Sequence, residues 1–287
     1  MNREPQPALA RQFLDAHHQD TPLVLPNAWD AASAMVFERA GFSAVGTSSA
    51  GIAASLGYPD GEVLPRAEMV SAIERIARSV PLPVTADVEA GYGDDPKTVA
   101  ETVSLATEAG AVGVNLEDGT GDSDDLLDDP EHHAEKIRAA REIADDADIP
   151  VVINGRTDVF WLEVGDEADR IQRTIDRANA YARAGSDCLF VPGVTDPETI
   201  MALVDGIEGP LNVLGGPGAP SIATLADCGV ARVSVGSAPM RATLGRLQEM
   251  GAELREFGTY ESMDGGVPYA DLRDWLVDAM EPSGQSP

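Results

Sequence analysis

Short apolar runs alternate with longer amphipathic stretches along the chain. The runs read LVLPN (23–27), AVGTSS (44–49), PVTADVE (83–89), VGVNLED (112–118), PVVINGRTD (150–158), CLFVPG (188–193), LNVLGG (211–216) and ARVSVGS (231–237). Each ends in polar residues or Gly, and their near-continuous apolar character is that of strands buried on both faces. Between them the pattern predicts helices over 67–80, 97–110 and 166–185; in the last, Ile171, Ile175, Ala178 and Ala182 recur at helical spacing. Ala40-Gly41, Ala109-Gly110 and Ala184-Gly185 are helix stop signals. Pro83 and Pro150 open strands, where a missing N–H costs little. Eight strand–helix units predict an α/β fold, a parallel sheet closed into a (β/α)8 TIM barrel rather than an open doubly wound sheet. No GxGxxG follows the first strand, which weakens a dinucleotide-binding reading.

One barrel domain is expected over residues 1–255, and a C-terminal tail over 256–287. The tail holds an amphipathic segment, YADLRDWLVDAM (269–280), with Leu272, Leu276 and Ala279 on one face and Trp275 beside it. A closed ring of eight helices leaves little free surface on its own barrel, so this helix is expected to pack on a neighbouring subunit.

Composition narrows the partners. Asp and Glu number 49 against 20 Lys and Arg, for a formal net charge of −29, and Lys97 and Lys136 are the only lysines. Such a surface repels phosphate backbones and anionic membranes, which argues against nucleic-acid or membrane partners. The acid is dispersed rather than blocked, as in proteins of a high-salt, haloarchaeal cytoplasm where charge is screened within a few ångströms. Cys188 and Cys228 lie in apolar contexts and read as reduced, buried thiols. The N-terminus is polar, and no apolar run approaches the ~20 residues that span a membrane, so a cytoplasmic protein is expected.

In a barrel of this kind the C-terminal strand ends and the loops after them build the site. Asp60, Asp87, Glu89, Glu117, Arg156 and Asp158 all fall there. Asp87, Glu89 and Glu117 converge from adjacent strands, and several unpaired carboxylates in a partly desolvated pocket would repel one another. A divalent cation removes that penalty, and oxygen-only ligands select Mg2+ or Mn2+. The competing reading is that these acids are solvated or pair with Arg156. Gly215-Gly216-Pro217-Gly218 and Gly236-Ser237 follow the last two strands, where many barrels hold a phosphate. No Lys or Arg stands beside the first, and Arg241 is near only the second.

The stretches TSSAGIAASLGYPDGE, TADVEAGYG, GVNLEDG and INGRTDVF resemble the isocitrate lyase/phosphoenolpyruvate mutase superfamily, a resemblance covering roughly residues 8–250. It implies a Mg2+-dependent barrel that makes or breaks C–C or P–C bonds next to a 2-oxo acid through an enolate. It also implies a homodimer or homotetramer that exchanges a C-terminal helix. By this resemblance Asp87 is the direct metal ligand, and Glu89, Glu117 and Asp60 hold the metal largely through its waters. Ser48, Ser49 and Ala50 match the turn that binds the substrate carboxylate and oxyanion. Arg156 matches the arginine that neutralises the substrate. Arg156, Ser48 and Glu117 are therefore the expected catalytic residues.

The sequence departs from the lyase branches after the fourth strand. Their acid–base Cys sits in a Lys-Lys-Cys-Gly-His-like loop, whereas DGTGDSDDLLDDPEHH (118–133) has no Cys, Lys or Arg. Asp122, Ser123 and Asp124 are candidates for a mobile lid. The mutase histidine near the sixth strand is replaced around Pro192. The expected activity is a lyase cleaving a C–C bond of a small 2-oxo or 2-hydroxy carboxylate, as in isocitrate lyase, methylisocitrate lyase or an oxaloacetate decarboxylase. The alternatives are a P–C bond enzyme of the phosphoenolpyruvate mutase or phosphonopyruvate hydrolase type, and a non-catalytic metabolite-binding barrel.

Overall fold

Pro26 splits the first apolar run in two, and that split closes the barrel. The computed structural model describes residues 4–121 and 123–280. β1 (Leu23–Leu25) pairs with β9 (Arg232–Ser234), while β2 (Asn27–Ala28) pairs with β3 (Val45–Thr47). Pro26 has no N–H to give either ladder, but its carbonyl still accepts from Gly46 N at 2.9 Å. Asn27 stitches the seam: its Nδ2 donates to Thr47 O at 2.7 Å, and its Oδ1 accepts from the N–H groups of Val235 and Gly236 at 2.9 Å each.

The other strands are β4 (Val84–Asp87), β5 (Gly113–Glu117), β6 (Val152–Arg156), β7 (Cys188–Val191) and β8 (Leu211–Leu214). All pairings are parallel, in the order β1-β9-β8-β7-β6-β5-β4-β3-β2. Every apolar run of the sequence is thus a strand, and the fold is the expected α/β TIM-like barrel. The Ala-Gly stops are helix ends, with Gly41, Gly110 and Gly185 at positive φ.

The helices are α1 (Gln6–Ala16), α2 (Ala31–Arg39), α3 (Ser49–Leu56), α4 (Arg66–Ser79), α5 (Pro96–Glu108), α6 (Pro130–Asp146), α7 (Glu167–Ala184), α8 (Pro197–Gly206), α9 (Ile222–Asp227), α10 (Ala238–Glu256) and α11 (Tyr269–Met280). Met69, Ile73 and Ile76 of α4, Val99 and Val103 of α5 and Ile137 of α6 are buried in the main core between sheet and helices. A second cluster closes the N-terminal end, where Leu9, Ala10 and Phe13 of α1 meet Leu23, Val112 and Val152. A Cβ on Gly113 would lie 2.9 Å from Phe13 Cε1, so the glycine is what lets α1 seat. Both cysteines are free and buried. No helix among the described residues is long and apolar enough to cross a membrane.

The helix ring differs from the closed one expected. α10 has 19 residues but buries only Met240, and Leu244, Leu247 and Leu254 form an exposed stripe at helical spacing. α11 touches its own barrel along one edge: Trp275 and Ala279 pack against the core beside α4, and the Arg39 guanidinium lies 4.5 Å from the Trp275 ring centre. Uncovered apolar surface thus remains on both helices, since Leu276, Val277 and Met280 of α11 are exposed as well. Residues 281–287 of the predicted tail lie outside the described residues.

Candidate active site

Asp87 ends β4, Glu117 ends β5 and Arg156 ends β6, which brings all three to one mouth. The parallel register sets Asp87 opposite Asn115 and Glu117 opposite Arg156. Glu117 and Arg156 form an ion pair through Oε2 and Nη1. The guanidinium is also held by Asp158, with Nε 2.6 Å from Oδ1 and Nη2 3.0 Å from Oδ2. Three of the five N–H groups of Arg156 are thus taken by protein carboxylates. The expected substrate arginine is partly committed to its neighbours and rigidly placed, and the pairing anticipated for the acids holds for Glu117.

Asp87 is different. Its Oδ2 accepts from both the N–H (3.0 Å) and the hydroxyl (2.8 Å) of Ser49, at the first turn of α3. Its Oδ1 is buried and has no partner. Ser48 caps the same helix: its Oγ accepts from Gly51 N at 3.2 Å, and its own N–H donates to Ala28 O at 3.0 Å. Of the predicted turn, Ser48 and Ser49 have thus spent their N–H groups. The Ala50 N–H, second in the helix, has no intrahelical acceptor.

Glu89 is buried just past β4, with φ of 56°. Glu62 and Tyr92 also have left-handed backbones, φ 59° and 62°. Such a conformation costs about 1–2 kcal/mol per non-glycine residue. The three residues hold each other there. Glu62 N donates to Glu89 Oε2 at 2.5 Å, Tyr92 N donates to Glu62 Oε1 at 2.6 Å, and the Tyr92 hydroxyl lies 3.3 Å from Glu89 Oε1. The role of Glu62 was not visible in the sequence, because nothing in the spacing ties it to a residue 27 positions away.

Asp60, Glu89, Glu117, Ser123 and Arg156 line one cavity of about 340 Å³, together with Trp161 from the turn after β6. The crowding raises the carboxyl pKa values. Burial, then the Asp87 charge, push Glu89 up to about 7. Burial holds Glu117 well above the ordinary carboxylate range despite Arg156 beside it. Asp60, at the rim, is raised by partial burial and by Asp87. An orphaned buried carboxylate oxygen among raised acids is the setting a hard divalent cation fits, since its charge lowers all of these penalties at once.

The segment after β5 turns back over this cavity. Gly119 and Leu127 form an antiparallel bridge, and Thr120 N donates to Leu126 O at 3.2 Å. A Cβ on Gly119 would lie 2.8 Å from Asp158 Oδ2, so the chain can cross the Arg156–Asp158 pair only without a side chain there. Of the lid candidates, Ser123 lines the cavity, Asp124 is exposed outside it, and Asp122 lies outside the described residues. Asp94, Asp128 and His132 also cluster nearby. The Lys136 ammonium already sits 3.2 Å from Asp94 and 2.8 Å from Asp128, so this group is an ion-pair tie at the far end of the loop after β5.

Asp118, next to Glu117, points the other way. It is 1% exposed, and it accepts from Asp158 N at 2.8 Å and from the Tyr181 hydroxyl at 2.7 Å, with Arg177 Nε at 3.6 Å. It fastens β5 to the β6 loop and to α7 behind the mouth.

With this geometry in place, the comparisons with known proteins are specific. The sequence pattern of the phosphoenolpyruvate phosphomutase family matches residues 13–255. An uncharacterised protein of Mycobacterium tuberculosis is 40% identical over 268 residues, 93% of this chain and 96% of that one. The 2-methylisocitrate lyase of Escherichia coli is 31% identical over 208 residues, 70% of this chain and 68% of that one. The structure of oxaloacetate acetylhydrolase in complex with its product oxalate superposes with a TM-score of 0.85 at 26% identity, covering 96% of this chain and 97% of that one.

Proposed function

Because the chain belongs to the phosphoenolpyruvate phosphomutase family, we propose that it is a Mg2+-dependent lyase cleaving a C–C bond of a 2-oxo or 2-hydroxy carboxylate through an enolate. The observation that carries this reading is the buried, unpartnered Oδ1 of Asp87 among carboxylates of raised pKa. Asp87 would hold the ion, with Glu89, Glu117 and Asp60 around it. A bound divalent cation supplies Lewis-acid stabilisation of negative charge on the enolate oxygen. The Ala50 N–H at the start of α3 offers a substrate carboxylate a donor and the positive end of a helix dipole. Arg156, held by Glu117 and Asp158, keeps two N–H groups for substrate and needs no reorganisation to use them.

A thiol does not serve as the acid here. Burial pushes Cys188 up to about 12, and both cysteines are buried. A decarboxylating or hydrolytic variant, which asks least of a dedicated acid, suits this mouth best. The test is turnover with Mg2+ of oxaloacetate, isocitrate, methylisocitrate and phosphonopyruvate. Release of a 2-oxo acid or oxalate from a carbon substrate supports the proposal. Phosphate released only from phosphonopyruvate moves the enzyme to the P–C class, and Mg2+-independent silence towards all four points to a binding barrel.

Cation binding should be coupled to protons. Glu89 has its folded pKa raised from 4.5 to about 7, so the metal-free fold binds more protons than the unfolded chain between those values. From this group, stability falls as pH rises from about 4.5 to 7. A cation must displace that proton, so Mg2+ affinity should rise with pH up to about tenfold per unit and level off above about 7. Calorimetry in buffers of different ionisation enthalpy reads the released proton directly. An affinity flat from pH 5 to 8 would contradict the coupling.

Assembly belongs to the same proposal. The Leu244, Leu247 and Leu254 stripe of α10 is where a second copy docks to make a homodimer or a higher homo-oligomer. High salt favours it, because protomers of charge −29 repel until screened. Light scattering in molar salt should show an oligomer that becomes monomeric on truncation at residue 238; an unchanged mass would reject this interface.

A further inference from the structure

Glu62 ends no strand, yet it joins two of the carboxylates at the mouth. The segment between α3 and α4 carries Asp60, and Glu62 follows two residues later. Tyr58 packs against the core at one end of this segment, and Leu64 is fully buried at the other. Between them Gly61 has φ of 94° and open space where a Cβ would stand, so the Asp60 turn has little packing of its own. Glu62 supplies the tie. Its carboxylate reaches the loop after β4, where Tyr92 N donates to Oε1 at 2.6 Å and the N–H groups of Ala90 and Gly91 also favour its charge. Consecutive N–H groups turned to one side in this way make a concave nest for an anion.

The tie runs in both directions. Glu62 N donates to Glu89 Oε2 at 2.5 Å, and the Tyr92 hydroxyl lies 3.3 Å from Oε1, so both carboxyl oxygens of Glu89 are held. The backbone here is strained. Five non-glycine residues among those described have left-handed backbones, and three of them, Glu62, Glu89 and Tyr92, meet at this point. Such strain persists only where the surroundings over-determine it, and it gathers at functional sites. We infer that Glu62 is a positioning residue for the cation: by filling the nest after β4 it locks the Asp60 turn to Glu89, so that two carboxylates around the ion arrive as one preset unit. An ion entering an unclasped mouth would have to order the Asp60 turn itself, and its affinity would fall by that ordering cost. This rests on the reading that Asp60 and Glu89 surround a divalent cation held by Asp87.

The experiment is titration of the folded protein with Mn2+ at one fixed pH, read by the electron paramagnetic resonance signal of the free ion, which needs neither substrate nor turnover. Glu62→Ala should bind Mn2+ about tenfold or more weakly than the wild type, the usual effect of removing a residue that orients metal-holding groups. Glu62→Gln keeps an acceptor for Tyr92 N and should recover part of that affinity, which loss of the Glu62 charge alone would not allow. Glu62→Gly removes the clasp and also relieves the left-handed backbone. It should therefore keep the metal-free thermal midpoint yet bind as weakly as Glu62→Ala, and it carries the test if the alanine variant fails to fold. Wild-type affinity in Glu62→Ala or Glu62→Gly, or equal weakening in Glu62→Gln and Glu62→Ala, overturns the inference and leaves the proposed metal site standing. A wild type that binds no Mn2+ would bring down both.

Discussion

Asp87→Ala is expected to abolish activity and Mg2+ binding while leaving the barrel folded. The carboxylate serves the mouth rather than the core: Oδ2 takes two bonds from Ser49, and Oδ1 takes none. On the proposed function, removing it deletes the direct ligand, so turnover should fall at least about a thousandfold, or about 4 kcal/mol of transition-state stabilisation. Stability should barely change in the metal-free protein. Losing the Ser49 bonds costs about 1 kcal/mol. Relief of repulsion with Asp60, Glu89 and Glu117, all raised in part by the Asp87 charge, offsets that loss. Asp87→Asn keeps an acceptor for Ser49 and should still lose the cation. Mg2+ affinity unchanged in either variant would remove Asp87 from the metal site.

Asp118→Ala should do the reverse. Here a buried acceptor is removed from Asp158 N, Tyr181 and Arg177, leaving a buried guanidinium and two donors without it. Breaking a buried ion pair in this way costs about 3–5 kcal/mol. The thermal midpoint should fall by roughly 10 °C, with any activity loss following the unfolded fraction. Asp118→Asn retains an acceptor and should recover part of the loss. A variant of unchanged stability would mean that water replaces Asp118 without cost.

These two aspartates mark the border between what the chain shows by itself and what folding adds. Strand positions and order were legible, because each of the eight apolar runs is buried on both faces and three helices stop at Ala-Gly; the ninth strand, made where Pro26 splits the first run, was not. From these followed the barrel, and from the barrel the mouth, since parallel strands all deliver their C-terminal ends to one rim. Asp60, Asp87, Glu89, Glu117 and Arg156 could be brought together on that ground; in the structure Asp60, Glu89, Glu117 and Arg156 line one cavity, and Asp87 ends the strand beside Glu117. The sequence alone did not say which of Glu117 and Asp118 faces the mouth. Neighbours at a strand end point to opposite sides, and only the packing of α7 behind β5 makes one side dry. The same holds for Glu62, which acts through a left-handed turn, and for Arg156, whose two carboxylate partners depend on register and on the turn after β6. The tail helix was read correctly as amphipathic, but its seat on α4 and the uncovered stripe of α10 follow from which helix leaves the ring. Periodicity records which face of an element is buried; what that face meets is decided by contacts between residues far apart in the chain, and these leave no local pattern.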